Sequence, residues 1–276
     1  MLTSDAIELS KGRTQIVYRA GDGPPIVWLH AADGINPEHP LLAELAGSHT
    51  VIAPLAPGFN DLSELDEVQD IHELAMHYDD VMEALGLEEA IVLGHSFGGM
   101  IAAELAAHYP KRVGQLVLIA PVGLWNDDYP VIDVFAVPLT ELPKVLFADP
   151  SLMSAPPDAS SREDADIEAL VTLVRGMTSV AKFMWPIPDR GLARRLDRIS
   201  ARTLVVFGDA DGLVPARYAD DFAAGIRDCT TVIIAGGSHM VPLERSEEVL
   251  AAVEGFLDGA SADLERSGAG AAGGGR

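Results

Sequence analysis

From the first residues to about residue 122, short apolar runs alternate with longer stretches in which apolar side chains recur at helical spacing. The runs TQIVYRA, PIVWLH, TVIAP, AIVLGHS and QLVLIAP read as strands, being short, rich in β-branched residues and bounded by Gly, Pro or charge. Between them, residues 66–85 predict a helix closed by Gly86, and residues 97–108 predict another that stops before Pro110. Strand and helix in turn predict a largely parallel sheet with helices packed on it.

The rhythm breaks over residues 123–190, where six prolines between Pro130 and Pro157 punctuate short apolar pieces. Within this insertion Ser160 and Glu163 have capping-box spacing, and Ile167, Leu170, Val171, Val174 and Met177 follow helical periodicity, so an amphipathic helix is expected there. The strands RTLVVFG and TTVIIAG and a helix over residues 244–257 then resume the βα pattern. The chain therefore divides into a discontinuous core, residues 1–122 and 191–259, a helical insertion, residues 123–190, and a Gly/Ala-rich tail, residues 260–276, expected to be disordered.

A hydrophobic content of 48% in 276 residues is enough for a full core. The excess of 42 acids over 19 bases, a formal charge of −23, would repel phosphate backbones and anionic lipid, so neither nucleic acid nor a membrane is expected as partner. Cys229 is the single cysteine, which excludes an intrachain disulfide and a thiolate zinc site. The amino-terminal residues lack a secretory pattern and no apolar run is long enough to span a bilayer, so a cytoplasmic location is expected. Neither GxxxxGK nor a strand-to-helix GxGxxG is present, and no cofactor is implied.

The strongest chemical signal is the segment AIVLGHSFGGM. Ser96 stands in the pentapeptide GHSFG where a strand gives way to a helix, a turn sharp enough to strain the serine backbone, and Gly94 and Gly98 relieve the crowding. The turn also sets Ser96 at the positive end of the helix, with the Phe97 N–H available to an oxyanion. A serine hydroxyl needs a base, and of eight histidines His239, in GGSHMVP after TTVIIAG, is placed at a strand end well beyond the nucleophile. The third member should be a carboxylate after RTLVVF, where GDADGLVP offers Asp209 and Asp211.

Residues 94–98, 208–215 and 236–242, in the order serine, aspartate, histidine, resemble the α/β-hydrolase superfamily, over about residues 14–257. The resemblance implies an α/β-hydrolase fold with a helical cap at residues 123–190, and it assigns the triad acid to Asp211. It also implies a second oxyanion donor after a His-Gly pair; here the pair is His30 and Ala31, a departure that narrows the loop's conformations, and the donor would be Ala32.

Two further patterns compete for attention. HELAMH is one residue longer than the zinc-binding HExxH, so His72 and His77 would stand about 140° apart on a helix, which fits a solvated face and no metal site. The insertion carries many acids, yet Val131, Ile132, Phe135, Leu139, Val145, Leu146, Phe147, Phe183, Met184 and Trp185 suit an apolar pocket wall, with Phe135, Leu146, Phe183 and Trp185 as substrate-contact candidates. The expected function is hydrolysis of a small or medium apolar carboxylic ester through an acyl-enzyme, acting on a small-molecule substrate, with homo-oligomerisation left open. The same triad serves carbon–carbon bond hydrolysis and cofactor-free perhydrolase or haloperoxidase chemistry, and a ligand receptor on this fold is the reading from another class. For carbon–carbon cleavage the sequence identifies no polar grip on a dienoate: Lys182 and Arg190, in the cap segment nearest the returning strand, read equally well as surface charges.

Overall fold

The computed structural model describes residues 1–152 and 164–271. Its eight strands are β1 (Thr3–Glu8), β2 (Thr14–Ala20), β3 (Pro25–Leu29), β4 (Thr50–Pro54), β5 (Ala90–His95), β6 (Val113–Ile119), β7 (Arg202–Gly208) and β8 (Cys229–Ile234). They form one sheet in the order β1-β2-β4-β3-β5-β6-β7-β8. The first three strands of that order pair antiparallel and the rest parallel. The helices are α1 (Pro40–Leu45), α2 (Ile71–Ala84), α3 (Phe97–His108), α4 (Leu142–Leu146), α5 (Asp164–Met184), α6 (Tyr218–Gly225), α7 (Val241–Glu244) and α8 (Ser246–Ala271). This is the α/β-hydrolase architecture with a helical cap.

Period-2 alternation sorts the strand residues onto two cores. Ile26, Trp28 and Leu93 pack on one face of the sheet, and Val27, Leu29 and Val92 on the other. Helix α3 is apolar nearly all round and is buried along its length against β3, β5, β6 and α2. The chain leaves β3 for β4 on one side and reaches β5 on the other, and at such a switch point the carboxyl ends of the strands open a crevice.

Three expectations change in detail. The helix expected over residues 66–85 resolves into a 3-10 turn at Leu62–Glu67 and α2, because the Asp70 side chain accepts the His72 and Glu73 N–H groups and caps the helix there. Strand β1 was not foreseen; it is an edge strand whose TSDAIE sequence faces solvent nearly throughout and so lacks apolar alternation. Helix α8 runs to Ala271, past the expected start of the tail at residue 260, since ASADLER contains good helix formers and extending a helix is easier than starting one. The Ser160 and Glu163 capping box lies outside the described residues. Among those described, no helix is long and apolar enough to cross a membrane.

The cap is tied to the core on one flank by α5. Arg175 donates to the Asn60 carbonyl at 2.9 Å and Lys182 to the Leu65 carbonyl, so α5 lies along the loop after β4. Where the chain returns to the core, Arg195 grips the buried Glu104 of α3 with two hydrogen bonds, 3.0 and 2.5 Å.

Four histidines are buried as neutral rings. Burial holds His30, His39 and His77 down to about 4, aided at His77 by the Arg13 charge, and holds His95 down to about 3. Each folded value lies below the ordinary 6.5, so unfolding takes up protons and the stabilisation present above pH 6.5 is lost as the pH falls toward 4. Each ring can contribute up to about 1.4 kcal/mol per pH unit in that window. The urea midpoint should fall steadily between pH 6.5 and 4.5, and His77→Gln should flatten that fall; an identical slope in the variant would contradict the assignment.

Candidate active site

Residue 96 joins β5 to α3 with φ 54° and ψ −115°, a sparsely populated positive-φ conformation that costs a side-chain-bearing residue about 1–3 kcal/mol. Neighbouring β6 holds the turn in place: the Ser96 N–H donates to the Ile119 carbonyl at 2.9 Å, and the Ser96 carbonyl accepts from Val122 N–H at 3.3 Å. A Cβ at position 98 would overlap the Leu29 carbonyl, and one at position 94 the Gly98 carbonyl, so both positions must be glycine for the turn to close.

The three residues expected to act together meet. His239 Nε2 lies 2.8 Å from Ser96 Oγ, and His239 Nδ1 lies 2.9 Å from Asp211 Oδ2. Because a carboxylate can only accept, Nδ1 carries the proton and bare Nε2 accepts the serine hydroxyl. The other Asp211 oxygen accepts the N–H groups of Leu213 and Val214, both at 2.8 Å, which fixes the carboxylate plane. Asp209 does different work: its Oδ1 accepts Gly236 N–H at 2.7 Å and so pins the start of the histidine loop. His95, inside the pentapeptide, donates from Nε2 to the His239 carbonyl at 2.9 Å, holding that loop to β5. Ser96 and His239 are both buried.

Phe97 is the first residue of α3, so its N–H has no acceptor within the helix. The loop after β3 is set by His30. Its Nε2 accepts Ala56 N–H at 2.9 Å, which leaves the proton on Nδ1, and Nδ1 donates to the Ala31 carbonyl at 2.7 Å. That carbonyl shares a planar trans peptide with the Ala32 N–H, so fixing one fixes the direction of the other. The departure from glycine at residue 31 carries no strain: the left-handed residue of this loop is Gly34, at φ 82°.

Phe183 is buried and stacks on Phe97 with ring centroids 6.0 Å apart, beside the turn that carries Ser96. Phe135 lines an apolar groove in the cap with Leu142, Leu173 and Met177. The Leu146 carbonyl accepts from the histidine loop, and Trp185 is exposed. Lys182 and Arg190 both donate to backbone carbonyls, Lys182 as above and Arg190 to Phe183 at 3.1 Å and to Trp185. The HELAMH histidines separate: His72 meets His108 at 2.9 Å, while His77 is buried against Gln15 and Arg13.

One acid escaped the sequence reading. Asp33 directly follows Ala32, on the loop after β3, with protein atoms close around its carboxyl. That crowding pushes its carboxyl up to about 6, against the opposing pull of its own backbone N–H and of His239, within whose electrostatic reach it lies. Residue spacing alone gives no signal for it.

Asp211→Asn should cripple turnover by reversing the His239 tautomer, about 10⁴-fold where such a change has been made in other triads. Asp209→Asn, which loosens one loop contact, should cost far less. Steady-state kinetics of the two variants check this, and the reverse ranking would reassign the acid.

Comparison with known proteins bears on the family and the fold. Residues 21–253 match the family model described as "Alpha/beta hydrolase family". The chain is 29% identical over 258 residues to the dihydrolipoyllysine-residue acetyltransferase component of the acetoin cleaving system of Cupriavidus necator, covering 90% of this chain and 67% of that one. It is 27% identical to a 2-hydroxy-6-oxononadienedioate/2-hydroxy-6-oxononatrienedioate hydrolase of Comamonas testosteroni, covering 83% and 85%. The fold matches a bacterial membrane phospholipase A with a TM-score of 0.78 at 21% identity, covering 94% of this chain and 86% of that one. The chain is an enzyme of hydrolase type and belongs to the alpha/beta hydrolase family.

Proposed function

We propose that this protein hydrolyses a carbon–carbon bond next to a ketone, with Ser96 as nucleophile, His239 as general base and acid, and Asp211 as the residue that orients it. The observation that carries the reading is the assembled Ser96–His239–Asp211 chain of hydrogen bonds at 2.8 and 2.9 Å, in a chain related to hydrolases of 2-hydroxy-6-oxo dienoates. Such a compound holds no ester or amide. Its functional groups are a hydroxyl, a ketone and carboxylate, so hydrolysis must break the carbon–carbon bond at the ketone carbon. This departs from the ester expected from sequence.

In this mechanism the enol first becomes a ketone, which makes the departing carbon an acceptable leaving group. His239 takes the Ser96 proton as Oγ attacks the ketone carbon, and the Ala32 and Phe97 N–H groups receive the oxyanion. The carbon–carbon bond breaks with its electron pair leaving on the carbon fragment, which His239 protonates. Water, activated by His239, then releases the acyl group from Ser96 as a carboxylic acid. These steps require no metal or organic cofactor.

Ester hydrolysis is the second reading, and particular residues favour it. Lys182 and Arg190, the cap cations weighed as holders of a dienoate, donate to backbone carbonyls, and Asp33, next to Ala32 and within electrostatic reach of His239, opposes a substrate carboxylate. The two readings separate on kcat/KM for 2-hydroxy-6-oxo-6-phenylhexa-2,4-dienoate against p-nitrophenyl butyrate. The proposal expects the dienoate to be preferred, and Asp33→Asn to raise that preference a few-fold by removing a like charge. Turnover of the ester with none of the dienoate, unchanged in Asp33→Asn, would replace it with the ester reading.

A further inference from the structure

The loop bearing His239 is held from the sheet side by His95 and Asp209, and from the opposite side by a carboxylate shared with the cap. Glu244 closes α7, five residues after His239. Its Oε2 accepts the Ser238 N–H at 3.1 Å and touches the Ser238 hydroxyl. Its Oε1 accepts two backbone N–H groups of the cap, Ala148 at 2.8 Å and Asp149 at 3.2 Å. The same stretch of cap reaches the loop directly: the Leu146 carbonyl lies 2.6 Å from the Ser238 hydroxyl and accepts Met240 N–H at 3.1 Å. It also touches the acid loop, since a Cβ at Gly212 would stand 2.6 Å from the Val145 carbonyl.

We propose that Glu244 is a positioning residue that makes alignment of His239 depend on the cap being docked. One oxygen binds the residue next to His239 and the other binds the cap, so neither body can move without unpairing an acceptor on a charged group. Charge-assisted hydrogen bonds of this kind are about twice as strong as neutral ones. When the cap segment over residues 146–149 lifts, Glu244 loses two donors and Ser238 loses the Leu146 carbonyl. The backbone at 238–240 is then held from the sheet side alone. His239 must keep two bonds at once, to Ser96 and to Asp211, and a displacement of about 1 Å at such a group can cost about 10²-fold in rate. The cap thus contributes to catalysis through a backbone contact as well as by walling the substrate.

The inference rests on the triad reading and is independent of which bond is cleaved. Its test uses two probes of Ser96 reactivity, fluorophosphonate labelling rate and p-nitrophenyl butyrate turnover, in Glu244→Gln, Glu244→Asp and Ser238→Ala. Gln keeps the shape but presents N–H groups to one body; Asp keeps the charge but cannot reach both. Glu244→Gln should lower kcat and labelling rate together by about tenfold, leave KM nearly unchanged, and move the acid limb of the kcat/KM profile as the His239–Asp211 bond loosens. Glu244→Asp should fall between Gln and the natural chain. Should Glu244→Gln fail to fold, Ser238→Ala, which removes the hydroxyl alone, should still show a smaller loss in kcat at constant KM. A variant with a lower melting temperature but unchanged kcat, labelling rate and pH profile would reduce Glu244 to a structural contact and overturn the proposal. A natural chain that does not label at all would overturn the triad reading, and this inference with it.

Discussion

The start of α3 lies so close to the end of β3 that residue 98 has no room for a side chain; its Cβ would occupy the space of the Leu29 carbonyl. That contact is the constraint on which the site depends. It presses the first turn of the helix down behind Ser96, forces the positive-φ conformation at residue 96, and brings the loop after His30 over the helix N-terminus. The strain, about 1–3 kcal/mol, is opposed by hydrogen bonds of Ser96 with Ile119 at the end of β6 and with Val122 just beyond it. The nucleophile is therefore fixed by sheet and helix packing, while its partners arrive on loops.

Those loops are positioned by polar groups as well as by packing of Leu213, Val214 and Val241 into the core. His30 fixes the peptide that carries the Ala32 N–H, Asp209 and His95 fix the two ends of the 236–239 loop, and Leu213 and Val214 fix the Asp211 carboxylate. His30 and His95 can do this because burial keeps them neutral: a protonated His30 would lose the acceptor that receives Ala56 N–H. The cap completes the arrangement. It is anchored on one flank by Arg175 and Lys182 of α5 and on the other by Glu244, so it straddles the crevice from the β4 loop to the histidine loop.

Much of this was legible in the sequence because it is encoded locally. TQIVYRA, TVIAP and RTLVVFG coincide with β2, β4 and β7, and residues 97–108 with α3, since the strands are short runs rich in β-branched residues and the helix stops before Pro110. Ser96 and His239 were readable from turn glycines and chain order. Asp211 was separable from Asp209 by resemblance alone; the distances supply the reason, one acid facing the imidazole and the other the backbone. What escaped has no local signature. β1 is an exposed edge strand, Asp33 matters because the fold brings it within electrostatic reach of His239, and Glu244 reads as a helix residue until its two oxygens are seen to join segments almost a hundred residues apart. Lys182 and Arg190 could not be told from surface charges because a sequence does not reveal the backbone carbonyls that they engage.

The central claim is that Ser96 is the nucleophile of a working triad. Peptide mapping of the chain after reaction with a fluorophosphonate, alongside the turnover of Ser96→Ala on p-nitrophenyl butyrate, tests it most directly. The account predicts a single phosphonyl group on the peptide containing Ser96 and loss of turnover in a variant that still folds. An adduct on another residue, or turnover that survives in pure Ser96→Ala, would contradict it.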